Sequence, residues 1–195
     1  SSHIFISWII IPFSFSTFSS VKYNSWTKSS KYKVFSWTLL GPENKYVVFI
    51  TKNGLFKKTS IEEYTKTKRS TGIAAINLKD GDSIANIELM NDEDMIIITK
   101  KGYSIHFETK EIAAIGRVTA GVKAIKLTDD DEVLVGLPIR DKKETVAVFS
   151  SFGNAKKTNI DEFPLQARAG KGVVAYKVSP ATGDVVGATM INDED

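Results

Sequence analysis

Cations recur beside glycines in this chain at a fixed phase, and of all its residues these are best placed to do chemistry. Lys57 and Lys58 follow Gly54, and Lys68 and Arg69 precede Gly72. Lys100 and Lys101 precede Gly102, Arg117 precedes Gly121, and Lys123 follows it. Lys156 and Lys157 follow Gly153, while Arg168 and Lys171 precede Gly172. Ammonium and guanidinium groups neutralise phosphate, and arginine adds a two-pronged fork of donors. Glycine lets backbone N–H groups come near an oxyanion. Taken singly, a lysine pair can simply guard an edge strand, and a base before a glycine can sit on an ordinary turn. Repetition in three copies favours one shared polyanionic partner. No helix-forming segment follows these glycines and the GxxxxGK[ST] spacing is missing, so they do not form a nucleotide P-loop.

Catalysis finds no support in the remaining residues. There is no cysteine, which excludes disulfides and thiolate metal sites and fits a reducing compartment. His3 and His106 are the only histidines and lie far apart. His106 alternates with Ile105 and Phe107 as a strand-surface residue would. No catalytic residue and no metal ligand is assigned. The acidic runs Asn91–Asp94, Asp129–Glu132 and Asn192–Asp195 lack the grammar of a calcium loop. Residues 46–195 carry 21 Lys+Arg against 22 Asp+Glu, so the body is near neutral while its charges are segregated by phase. A ring of such units would carry a basic zone and an acidic zone.

The elements that must hold these residues repeat with a period of about fifty, which marks a stacked or radial array. In the first copy an apolar run at 46–51 reads as a buried strand, Asn53-Gly54 as a hairpin turn, and 55–58 as the returning strand. Residues 61–67 read as a connection or a single helical turn, and 73–78 and 83–90 as two further strands. The second copy gives strands near 95–100, 103–107, 122–127 and 132–137, and the third near 145–150, 154–158, 173–178 and 184–190. Four strands in about fifty residues make one propeller-type blade. The expectation is an all-β chain of antiparallel four-stranded blades, at about 45–94, 95–144 and 145–195. Residues 1–44 form an atypical segment, taken as one degenerate blade, for about four in all. Its apolar run is broken by Pro12 and lacks a basic start, so it predicts neither a leader nor a membrane span.

Thr51–Thr59, Met95–Gly102, Gly116–Ile125 and Phe163–Gly172 together resemble the C-terminal domain of the DNA gyrase A subunit, with the sister domain of topoisomerase IV next. The resemblance covers roughly 46–195 and implies a β-pinwheel whose basic rim wraps double-stranded DNA without regard to sequence. By order, the three copies resemble the third to fifth of six blades. The long connection Ser179–Gly183 favours the gyrase branch. The family's Gln-Arg-Arg-Gly-Gly-Arg/Lys-Gly box is missing, and Gln166–Gly172 keeps its outline with alanine at two places. The resemblance further implies a non-catalytic part of an ATP-dependent type II topoisomerase in the bacterial cytoplasm, associated with the nucleoid. ATP and magnesium would act elsewhere in that enzyme, with no cofactor in this stretch. The partners would be the remainder of the A subunit together with the B subunit in an A2B2 assembly, with no membrane. The expected DNA contacts are Lys57, Lys58, Lys68, Arg69, Lys100, Lys101, Arg117, Lys123, Lys156, Lys157, Arg168 and Lys171. A protein-interaction propeller is the rival reading, though its Gly-His and Trp-Asp marks are missing. A glycan- or phospholipid-binding β-repeat is a third.

Overall fold

A computed structural model describes residues 3–7, 34–36, 44–66 and 73–191. Its strands are β1 (His3–Ser7), β2 (Val34–Ser36), β3 (Tyr46–Thr51), β4 (Leu55–Ser60), β5 (Ile73–Asn77), β6 (Ile84–Met90) and β7 (Asp94–Thr99). They continue as β8 (Tyr103–Phe107), β9 (Val122–Lys123), β10 (Val133–Ile139), β11 (Thr145–Ser150), β12 (Ala155–Asn159), β13 (Val173–Val174) and β14 (Val185–Ile191). One helical turn, α1 (Glu62–Thr65), and a 3-10 turn at Ile160–Glu162 are the helical elements among the described residues. The all-β expectation therefore holds.

The sheets do not coincide with the sequence repeats. Two are four-stranded, in the orders β6-β3-β4-β9 and β10-β7-β8-β13. Each takes its last strand from the following repeat: Leu55 faces Lys123 and Phe56 faces Val122, then Ser104 faces Val173 and Tyr103 faces Val174. A third sheet runs β12-β11-β14, and a fourth runs β2-β1-β5, with β1 and β2 parallel. A fifty-residue unit thus supplies three strands of its four-stranded sheet, and the folded blade borrows the fourth from its neighbour. Most of the atypical segment 1–44 lies outside the described residues.

Packing explains the unbroken apolar runs. Val48 and Ile50 of β3 join Met95, Ile97, Ile105 and Phe107 in one core. Val47 and Phe49 join Tyr64, Ile73 and Ile76 in another on the opposite face. Strand β7 divides in the same way, with Ile96 and Ile98 turned to Val146, Val148 and Phe163. A strand covered on both faces needs no polar alternation, and each large apolar side chain it buries contributes about 1.5–3 kcal/mol. Strand β10, at one end of its sheet, contacts both β6 and β14 of the neighbouring sheets. There the buried Asn86 amide donates to the Gly136 carbonyl at 2.7 Å and accepts from its N–H at 2.9 Å, tying two repeats through main chain.

Expected strands at 122–127 and 173–178 shrink to two residues each. The chain leaves the sheet to cross the hairpin turn of the preceding repeat. Ala124 N–H donates to the Gly54 carbonyl at 2.8 Å, and Ala175 N–H to the Gly102 carbonyl at 2.9 Å.

Candidate functional site

The glycine before each short outer strand is fixed by that crossing. Gly121 has φ +92°, and a Cβ there would stand 2.6 Å from the Phe56 carbonyl oxygen. At Gly172 (φ +76°) the corresponding distance, to the Ser104 carbonyl, is 2.1 Å. Only glycine fits a left-handed backbone pressed against another strand. These landmarks therefore serve contact between repeats, a role that spacing alone does not reveal.

The arginines ahead of them serve the same seam. Arg117 Nη1 donates to the Ala74 carbonyl at 2.9 Å, and Asn77 N–H donates to the Thr119 carbonyl at 3.1 Å. One repeat later Arg168 Nη1 donates to the Lys123 carbonyl at 3.1 Å, and Lys126 N–H to the Gly170 carbonyl at 2.8 Å. Ala169 N–H also donates to the Ala124 carbonyl at 2.6 Å, which holds Ala169 at φ 67°. Each clasp loop thus lies along the outer strand of the repeat before it. Around the second of these seams Lys123, Lys126, Arg168 and Lys171 are all exposed. Lys126 is not among the contacts expected from sequence; its signal is its place three residues after Lys123, where the first copy carries Asn77.

Two expected contacts are corrected. Lys57 is 1% exposed, and its Nζ donates to the Ala75 carbonyl at 2.7 Å, beside Tyr64 Oη and 5.1 Å from the centre of the Phe49 ring. Burial first, and then the nearby Arg117 charge, lower its pKa from 10.5 to about 7. Lys58 is 2% exposed; its Nζ donates to Asp92 Oδ1 at 3.0 Å and the Thr109 carbonyl at 2.8 Å, over the Tyr46 ring. Neither ammonium meets solvent. The reason is that β4 is covered on both faces and along its outer edge, so both members of the pair turn inward.

The other expected residues divide by location. Lys156 and Lys157 are exposed on β12, although Lys156 Nζ reaches the Ala175 carbonyl at 3.0 Å, as Lys57 reaches Ala75. Lys101 Nζ lies 3.1 Å from Asp184, and Lys100 Nζ lies 3.9 Å from Glu132. Their partners are acids just ahead of β10 and β14, so the structure ties them to the acidic phase and not to the clasp loops. Lys68 and Arg69 lie outside the described residues. His106 is partly buried, with Nδ1 3.0 Å from the Phe163 carbonyl and Nε2 3.4 Å from Asp94, so it is a seam residue more than a surface one. Among the described residues no cluster of His, Cys, Asp and Glu could hold a metal ion. No described helix is long and apolar enough to cross a membrane.

A stack of blades in which each repeat lends a strand back to the one before it and carries bases on the lending loop can be compared with known proteins. The family described as DNA gyrase C-terminal domain, beta-propeller, matches residues 45–89, 93–137 and 144–192. The chain belongs to that family. The DNA gyrase A subunit of Lawsonia intracellularis is 34% identical over 155 residues, covering 78% of this chain and 19% of the relative. That of Salmonella typhimurium is 36% identical over 154 residues, covering 78% and 17%. The chain therefore spans about a fifth of the length of the curated relatives it matches. Among solved structures, the C-terminal domain of DNA topoisomerase IV superposes with a TM-score of 0.73 at 30% identity, covering 80% of this chain and 49% of that one. A DNA gyrase A C-terminal domain superposes with a TM-score of 0.69 at 24% identity, covering 77% and 50%, and supports the fold alone.

Proposed function

We propose that this chain binds double-stranded DNA through its phosphates, without reading base sequence, as part of the wrapping domain of a gyrase A subunit. One observation carries the reading. Lys123, Lys126 and Lys171 stand exposed around a single seam on an outer strand, a seam that Arg168 holds together, and the same backbone geometry recurs one repeat earlier at Arg117. A basic track of that kind neutralises successive phosphates and releases counterions. Bending 20–30 bp costs about 1–6 kcal/mol, which contacts on several blades must offset.

In the assembled enzyme the chain would sit beside the remainder of the A subunit, with the B subunit completing an A2B2 assembly, in the bacterial cytoplasm at the nucleoid. Wrapping would present a crossing DNA segment to ATP-driven strand passage. Nucleotide, magnesium and the cleavage chemistry would belong to other parts of that enzyme.

The test is binding to DNA of about 30 bp and about 150 bp across a salt series, with plasmid linking number after nicking and ligation. Each neutralised phosphate should add about 0.9 to the slope of log K against log salt. Steep, length-dependent binding with a positive linking-number shift supports the gyrase reading. The topoisomerase IV similarity supplies the second reading, which length-dependent binding without that shift would favour. Absence of salt-sensitive binding would overturn both.

A further inference from the structure

Sequence spacing groups the two clasp arginines with the lysines as phosphate ligands, yet in each one guanidinium nitrogen already donates to a main-chain carbonyl. We propose that Arg117 and Arg168 are positioning residues, each capping the free edge of the preceding repeat's outer strand and so setting the alignment of the basic track from blade to blade. This rests on the DNA-binding reading above.

Among the described residues, strands β5 and β9 are each paired along one edge, with β1 and β4 respectively. The opposite edge presents the Ala74 and Lys123 carbonyls, and an unpaired carbonyl on a strand edge is open to wrong partners. In each case a guanidinium from the next repeat closes it, at 2.9 Å and 3.1 Å. In each case a backbone bond follows from the residue three positions on, Asn77 to Thr119 and Lys126 to Gly170. The recurrence of both bonds at two seams with different flanking residues marks a built joint. The carbonyl that Arg168 holds is that of Lys123 itself, and the backbone bond beside it fixes Lys126. Loss of the cap would therefore loosen the strand that carries these lysines while leaving their charges in place.

The chain is tested as four forms: wild type, Arg117→Met/Arg168→Met, Arg117→Gln/Arg168→Gln, and Arg168→Met alone. Glutamine keeps an N–H donor without the charge, whereas methionine keeps neither. Each is measured on 30 bp and 150 bp DNA across salt, with plasmid linking number and amide exchange. The single variant leaves the first seam intact, in case the double methionine form fails to fold. The expected result for the methionine forms is a salt slope on 30 bp DNA equal to that of wild type. On 150 bp DNA affinity falls at least tenfold in the double form and the linking-number shift is lost. Exchange quickens at Lys126, and in the double form at Asn77 as well. The glutamine form recovers most of the long-DNA binding. The proposal is overturned if methionine and glutamine forms behave alike and both lower the 30 bp slope by about 0.9 per arginine, with exchange unchanged. A wild type without salt-dependent binding would instead overturn the DNA reading on which the proposal rests, and that control alone tells the two failures apart.

Discussion

Lys57 shows how burial changes what a cation can do. Its amine is enclosed by Ala75, Tyr64 and Phe49, and its pKa is brought to about 7 by burial and by Arg117. Between about pH 7 and its ordinary 10.5 the unfolded chain holds a proton there that the folded chain does not. Stability must then rise with pH across that window, the reverse of a lysine that gains an acidic partner. Lys57→Met should flatten this rise, which denaturant melts at pH 7, 8 and 9 would detect; parallel curves for the two proteins would refute it. A second residue carries backbone strain. Ala169 adopts φ 67° so that its N–H can meet Ala124. An L-residue in this region costs about 1–2 kcal/mol, part of which glycine returns as unfolded-chain entropy. Ala169→Gly should stabilise the fold by about 0.5–1 kcal/mol in the same melts. A loss of stability would mean that the alanine methyl makes contacts worth more than the strain.

At the level of elements, the borrowed strands are short and depend on glycine. Gly172→Ala would set a Cβ 2.1 Å from the Ser104 carbonyl at φ +76°. The expected cost is about 1–3 kcal/mol from conformation alone, with faster amide exchange at Val173 and Val174; unchanged exchange would show that the outer strand does not need this approach. The elements are largely legible in advance. Val47 to Ile50 and Met95 to Ile98 announce buried strands because both their faces are covered, and Asn53-Gly54 announces its hairpin through left-handed backbone. What the sequence cannot reveal is ownership. Val122 and Lys123 look like the start of their own repeat's strand, and nothing in their local pattern says that Leu55 and Phe56 of the repeat before are their partners. The same limit hides the burial of Lys57 and Lys58. A lysine pair on an exposed edge and one on a doubly covered strand have identical spelling, and only the neighbouring chain decides between them.

For the whole molecule, strand lending makes the repeats interdependent. A cut after residue 144, at the sequence boundary, would remove β13 from β8 and Val146 and Val148 from the core they share with Ile96 and Ile98. The truncated chain should therefore lose protection well inside its second blade, at Tyr103 and Ser104, when amide exchange is followed. Protection unchanged from that of the longer chain would mean that each repeat is self-sufficient after all. The ion pairs act at this scale too. Lys52 with Glu132 and Lys101 with Asp184 join one repeat to the next. Being partly exposed, such pairs add little stability, and each engages a lysine along with the acid it neutralises.

Borrowing a strand from the repeat that follows also sets a clock on biosynthesis. A ribosome releases Leu55–Ser60 some sixty residues before Val122–Lys123, the strand that closes its edge. At 5–20 residues per second the first of these blades waits about 3–12 s with that edge open. The second waits about as long for Val173–Val174. Within that interval the nearest matching strand belongs to another nascent chain on the same message. Slowed translation should therefore raise the yield of intertwined dimers, in which each chain has closed the other's blade.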